Sequence, residues 1–220
     1  MAPFAKLYSY PGNYRVTRAQ VVAAINGLVV PLVEGFKMGV DNKTPEFLAK
    51  FPMGKVPALE CADGFNLAEG AAICKYLANS GPKAQQLLGS DAKTQAVIDS
   101  WIYFSESELN NNISPPAGMT VFKIVPFDEA RYNFFVGGVE RALQRLEVAL
   151  KGGKKYLVGD NLTLADVIIA GPISFSTGFL IDAEMRKGIP NVVAWIQNLT
   201  SLPEFKALGE LKLCETRVKA

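Results

Sequence analysis

Hydrophobic and polar positions follow two rhythms along the chain. In the first 80 residues, short apolar runs with strand character alternate with helical spacing. "AKLYSY" alternates and is rich in aromatics, which predicts a short strand, and "PGN" breaks it. "VTRAQVVAAING" follows with Val21, Val22, Ile25 and Leu28 at helical intervals and Gly27 as a stop. "LVVPLVEGF" is a second strand candidate, whose Pro31 suits only an edge. "NKTPEFLAKFP" predicts a helix capped by Thr44, with Pro45 in the first turn and Pro52 after its end. "KVPALECADGFNL" reads as a hairpin turning at Asp63-Gly64, and "LAEGAAICKYLANSG" as a helix ending near Gly81. The expected order is βαβαββα, a mixed sheet with helices packed on it.

Beyond Gly81 the strand rhythm stops. "SGPKAQQLLGSDAKTQ" reads as a polar linker. "DAKTQAVIDSWIYFSESEL" is amphipathic, with Val97, Ile98, Trp101, Phe104 and Leu109 at helical intervals. "NNNISPPAG" is expected to interrupt it. "YNFFVGGVERALQRLEVALK" places Val139, Ala142, Leu143, Leu146 and Leu150 on one face, and a last helix runs through "NVVAWIQNLTSL". The second half therefore reads as all-helical. The expected division is 1–80, a linker at 81–90, and 91–220.

Composition narrows the chemistry. At 220 residues the chain makes one domain or two small ones, and 49% hydrophobic with 20% charged residues fits a soluble globular protein. A net charge of +2 is too mild to argue for nucleic acid or an acidic membrane surface. No apolar run reaches the length of a membrane span. "MAPFAKLYSYPGNYR" lacks the layout of a secretory signal, so the cytoplasm is the expected compartment. The cysteines Cys61, Cys74 and Cys214 form no C-x-x-C pair. There is no histidine, which removes Ser-His-Asp and Cys-His catalysis and every His-ligated metal site. No metal site is expected. Walker and G-x-G-x-x-G patterns are also missing.

Four stretches carry candidate chemistry, each beside a structural alternative. In "KVPAL", Pro57 cannot donate a ladder hydrogen bond. A trans edge proline is the default reading. A cis Val56-Pro57 bond would instead turn the Val56 backbone outward, toward a peptide-like ligand. In "LAEGAAI", the free amides of a helix start suit a carboxylate, Gly70 permits close approach, and Glu69 suits a ligand ammonium. The alternative is that Glu69 merely complements the helix dipole. "NLTLADV" places Thr163 and Asp166 as a capping box, a structural motif. "YSYPGNYRVTR" sets Tyr8, Ser9, Tyr10, Asn13 and Tyr14 between strand and helix, where hydroxyls could stabilise a thiolate or simply pack and turn the chain.

Taken in order, "KVPAL" before the hairpin, "AEGAAI" after it and "LTLADV" in a helical half resemble the glutathione transferase superfamily. The resemblance covers nearly the whole chain. Within the superfamily it points most to the transferase-like domain of elongation factor 1-gamma, through "TPEFLAKFPMGKVPALE", "YLVGDNLTLAD" and "GELKLCE". It implies a thioredoxin-like N-terminal α/β domain plus an all-α C-terminal domain, a homodimer, and a cis bond at Val56-Pro57. It implies glutathione as co-substrate: Val56 on the cysteinyl part, Lys55 near the glycyl carboxylate, Glu69 and the Gly70 amide on the γ-glutamyl end. The substrate pocket is implied beside Trp101, Ser105 and Glu108, with Glu106 or Glu108 reaching the partner's glutathione.

Two departures from the superfamily pattern stand out. Gly70 occupies a position that is usually serine. No single thiol activator aligns, which leaves Tyr14, Asn13 or Tyr8, with Arg18 or Arg15 as the helix-1 arginine. Two functions follow. One is an enzyme that adds glutathione to an electrophilic small molecule, or uses it to transform one, as the transferase-like proteins of fungal metabolite pathways do. The other is a scaffold for elongation factor 1 subunits. Elongation factor 1-gamma carries a lysine-rich linker and a further domain, whereas these residues end at "CETRVKA". The enzyme is therefore the favoured expectation.

Overall fold

The computed structural model describes residues 2–219, so Met1 and Ala220, the outer limits of the two expected halves, lie outside it. The first strand, β1 (Ala5–Tyr8), pairs antiparallel with β2 (Ala58–Cys61), Ala5 opposite Cys61 and Tyr8 opposite Ala58. β2 pairs antiparallel with β3 (Asn66–Ala68), so the sheet order is β1-β2-β3. The Asp63-Gly64 turn joins β2 to β3, its bend fixed by a bond from the Phe65 amide to Asp63 Oδ1 (3.0 Å). The strand expected across 28–36 does not form. That segment lies parallel beside β1 through one bridge, Leu7 to Leu32. Leu7 donates to the Pro31 carbonyl (2.9 Å) and Val33 donates to Leu7 (2.8 Å), but Pro31 has no N–H to extend a ladder.

Helices α1 (Tyr14–Ile25) and α3 (Gly70–Asn79) pack against each other, while α2 (Pro45–Lys50) closes the chain between α1 and β2. Thr44 caps α2 with Pro45 at its first position, as the sequence predicts. Residues 81–90, expected to be a linker, carry a short helix α4 (Ala84–Leu88) whose Leu87 is fully buried. Asn26, at the end of α1, ties this corner together. Its Nδ2 donates to the Leu77 (2.8 Å) and Ala78 (3.0 Å) carbonyls at the end of α3, and its Oδ1 accepts from the Lys83 amide (2.9 Å). These bonds satisfy carbonyls that a helix end leaves open.

The remainder is helical: α5 (Ala92–Phe104), α6 (Asn111–Thr120), α7 (Glu129–Ala149), α8 (Leu164–Ser176), α9 (Ala183–Lys187) and α10 (Pro190–Thr200). The break expected at "NNNISPPAG" is not there. A π-helical segment, Ser105–Asn110, carries α5 directly into α6 with helical dihedrals at both joints. Pro115 and Pro116 sit inside α6. Such wide turns and prolines are the usual places where a helix changes direction without ending. Helix α8 is the spine of the molecule, with Leu164 to Ile173 buried without a gap. Asp166 anchors its start by accepting from the Thr163 amide (2.9 Å), the Leu157 amide (2.8 Å) and the Trp195 ring N–H (3.3 Å). This realises the capping box. Among the described residues, no helix is long and apolar enough to cross a membrane.

Candidate functional site

A cleft of about 350 Å³ opens where the N-terminal sheet and helices meet the π-helical segment. Tyr10 and Asn13 reach it from the β1–α1 loop, and Arg15 and Arg18 from α1. The stretch from Lys50 to Val56 and Pro57 lines it from below α2, Glu69 and Gly70 from the start of α3, and Glu106 from the π segment. Four cations (Arg15, Arg18, Lys50, Lys55) face two carboxylates (Glu69, Glu106). That excess suits a ligand carrying more carboxylates than ammonium groups.

Two backbone features define the ligand-facing wall. Val56-Pro57 is a cis bond, as the resemblance implies and against the trans default of the local sequence. Val56 lies ahead of β2, and its backbone makes no hydrogen bond with other backbone groups among the described residues. Next to it, α3 begins without a side-chain cap. Its first helical bond runs from the Ile73 amide to the Glu69 carbonyl (2.9 Å), which leaves the amides of Gly70, Ala71 and Ala72 without helical partners. Glu69 sits at φ 69°, a region that non-glycine residues avoid at some energetic cost, and its side chain is exposed.

The two arginines differ. Arg15 is half-buried, donates to Ser114 Oγ (3.1 Å), and joins no ion pair among the described residues. Arg18 is fully buried. Its Nη1 donates to Glu106 Oε1 (3.0 Å) and to the Ile168 carbonyl (3.3 Å), while Nε and Nη2 have no partner. Asn13 caps α1: its Oδ1 accepts from the Arg15 amide (3.1 Å) and its Nδ2 donates to Ser9 Oγ (3.1 Å).

The structure brings Asn13, Arg15, Arg18, Lys55, Val56, Pro57, Glu69, Gly70 and Glu106 into this cleft, and leaves Tyr8, Tyr14, Trp101, Ser105 and Glu108 outside its lining. Tyr8 points into an aromatic cluster with Phe47 and Phe51 and donates to Glu60 Oε2 (2.6 Å). Burial and that carboxylate raise its pKa. Tyr14 is buried, stacks on Phe175 and donates to Asn110 Oδ1 (2.6 Å), and burial raises its pKa too. Neither phenol is placed to stabilise a thiolate in the cleft. Trp101 lies in the core under the Arg145 guanidinium, 4.7 Å from its ring. Ser105 is fully buried and donates to the Ile168 carbonyl (3.3 Å). Glu108 is exposed to solvent. The wide π turn shifts which side chains face inward, so Glu106 takes the cleft position. Tyr10 and Lys50 are cleft residues that sequence reasoning left unassigned. Tyr10 stood within the stretch already singled out, whereas nothing local marks Lys50. None of the cysteines lines the cleft. Cys74 is fully buried, and burial pushes its thiol up to about 12. Among the described residues, no group of His, Cys, Asp and Glu is placed to hold a metal.

Comparison with known proteins fits this geometry. The family described as "Glutathione S-transferase, N-terminal domain" matches residues 4–79, and "Glutathione S-transferase, C-terminal domain" matches residues 111–203. Glutathione S-transferase-like protein LUC7 of a Fusarium species is 44% identical over 208 residues, 94% of this chain and 93% of that protein. The chain belongs to the glutathione S-transferase family. Another relative is elongation factor 1-gamma-A of Xenopus laevis, 35% identical over 95% of this chain but only 47% of its own length. Among solved structures, glutathione S-transferase I from maize in complex with an atrazine–glutathione conjugate superposes with a TM-score of 0.82 at 26% identity, covering 94% of this chain and 96% of that one.

Proposed function

We propose that this chain is a glutathione-dependent transferase that joins the glutathione sulfur to an electrophilic small molecule, or uses glutathione to transform one. One observation carries the reading. An unpaired Val56 backbone, an uncapped helix start with Glu69 beside it, and an excess of cations all face the same cleft. Glutathione offers the complement: a peptide-like cysteinyl unit, two carboxylates and one ammonium. The Val56 backbone pairs with the cysteinyl unit, Lys55 neutralises the glycyl carboxylate, the Gly70 amide takes the γ-glutamyl carboxylate, and Glu69 takes its ammonium. The thiol is then directed toward the start of α1. There Asn13, the positive end of the helix dipole and the unpaired Arg15 favour the thiolate. The thiol proton passes to solvent, the thiolate attacks the electrophilic carbon to form a C–S bond, and the displaced electron pair departs with a leaving group or, in an addition, takes a proton from water.

The division at 1–80, 81–90 and 91–220, a homodimeric state and a cytoplasmic location belong to this proposal. Isothermal calorimetry tests it. Glutathione is expected to bind, and Glu69→Ala to weaken it about tenfold, the low end for a charged hydrogen bond at an exposed carboxylate. No binding at millimolar glutathione overturns the reading. The 35% identity to elongation factor 1-gamma-A favours a second reading, a scaffold for elongation factor 1 subunits. Co-purification with an exchange-factor subunit is the outcome that supports it, and a clean homodimer from its own cell extract counts against it.

A further inference from the structure

The position of Arg18 assigns a reason to Gly70. A Cβ built on Gly70 would lie 3.2 Å from Arg18 Nη2, 3.3 Å from Pro57 Cγ and 3.6 Å from Arg15 Cβ. The stem of Arg18 is held just as closely from the other side. A Cβ on Gly171 of α8 would meet its Cγ and Cδ at 2.7 Å. The guanidinium is thus threaded between α8 and the first turn of α3, and the contact of Nη1 with Glu106 fixes its orientation. Nη2 is turned toward the first turn of α3, fully covered and without a partner. A buried guanidinium with two of its donor nitrogens unsatisfied is costly unless another group answers them.

We propose that the carboxylate site at the start of α3 is supported from beneath by the Arg18 guanidinium, in place of a side-chain hydroxyl at residue 70, and that glycine at residue 70 lets the guanidinium lie close against the first turn of α3. This rests on the glutathione reading and identifies the group that selects its γ-glutamyl carboxylate. Arg18 acts here as a positioning residue. It is covered by protein, so its field reaches the ligand through a wall of low dielectric, where a charge is screened far less than in water. The field adds to that of the three helix amides; Glu106 balances the formal charge of Arg18 through Nη1, and Nη2, on the Gly70 side, is the end of the pair that faces the carboxylate site. The arrangement also sets a direction for substitution. Serine at residue 70 presses on Arg18 Nη2 and Pro57 Cγ by a few tenths of an ångström, so a side chain there is expected to weaken the site.

The test compares glutathione with 4-aminobutyryl-cysteinyl-glycine, which lacks only that carboxylate, by calorimetry on the full chain. Wild type is expected to prefer glutathione by about tenfold or more, the size of a helix-start and a buried charge acting together. In Arg18→Gln the preference falls below about threefold, and in Arg18→Lys, which keeps the charge, it is largely retained. A general loss of structure lowers binding of both ligands and leaves their ratio alone, so the ratio isolates the charge. Gly70→Ser, which keeps arginine at residue 18 but crowds its guanidinium, is the second arm: the Kd for glutathione rises at least about threefold, because the close contacts at 3.2 and 3.3 Å must open. An Arg18→Gln ratio equal to wild type, or a Gly70→Ser variant that binds glutathione as tightly as wild type or tighter, overturns the inference. Wild type that binds neither ligand overturns the glutathione reading itself and takes this inference with it.

Discussion

Replacing Glu106 by glutamine tests how the buried arginine is held. The Arg18 side chain has no exposure and its Glu106 partner is 40% exposed, with 3.0 Å between Nη1 and Oε1. Removing one partner of a fully buried pair costs about 3–5 kcal/mol, because an uncompensated charge remains inside. Here water reaches the carboxylate and screens part of the interaction, and the glutamine oxygen still accepts a neutral hydrogen bond worth about 1 kcal/mol. The expected loss for Glu106→Gln is therefore about 1.5–3 kcal/mol. With a urea dependence of roughly 2–3 kcal/mol per molar, the unfolding midpoint falls by about 0.5–1.5 M at unchanged slope. Glu184→Gln is the control. Its partner is Lys187, both side chains are more than 70% exposed (72% and 77%), and its midpoint is expected to stay at the wild-type value. A Glu106→Gln midpoint within about 0.2 M of wild type refutes the reasoning, since that shift corresponds to less than one neutral hydrogen bond.

Three further outcomes follow from single sites. Asn26→Leu removes two donors from the Leu77 and Ala78 carbonyls and the acceptor for the Lys83 amide, so urea unfolding should show a loss of about 2–4 kcal/mol; a loss under about 1 kcal/mol refutes the role of this corner. Burial raises the Asp166 carboxyl from 3.8 to about 6 despite its N–H donors. Its protonated form is thus favoured by folding, and the stability it contributes is present below the unfolded value and lost as pH rises through about 6, by about 3 kcal/mol at 1.36 kcal/mol per pH unit. The stability difference between wild type and Asp166→Asn should shrink between pH 4 and 6, and growth of that difference would show that the N–H donors outweigh burial. Cys74, fully buried with its thiol pushed up to about 12, should resist thiol reagents at pH 8 in the native protein while Cys214 reacts, as read by peptide mass spectrometry; Cys74 labelled ahead of Cys214 contradicts its placement.

What the sequence revealed depends on the range of the interaction. Thr44-Pro45, Asp63-Gly64 and Thr163–Asp166 act within three residues, so their caps and turn are readable from the letters alone. The segments Lys55 to Pro57 and Glu69-Gly70 stand out locally, but their letters alone favour a trans proline and a dipole role for Glu69; the cis bond comes from the order of motifs along the whole chain. Less is legible where a side chain's surroundings come from a distant partner. Trp101 and Ser105 have a helical spacing that marks an inward face, but spacing does not say what that face meets; they meet Arg145 and Ile168 in the core. Tyr14 carries a hydroxyl at the right place in the chain, yet Asn110, 96 residues on, claims it.

The prolines misled for a related reason. Pro115 and Pro116 break an isolated helix, but here a π turn precedes them, the chain runs on, and Glu106 is swung into the cleft. That turn puts Glu106 against Arg18 across 88 residues, and the pair leaves one side of the guanidinium facing Gly70. Gly70 looked from the sequence like the loss of a hydroxyl. In the fold it gives a buried guanidinium room to lie close against the first turn of α3, so the residue that departs from the superfamily pattern and the arginine that sequence placed only approximately are two halves of one feature. A helix start read by its side chains alone hides this, because the third component of its field arrives from a different helix.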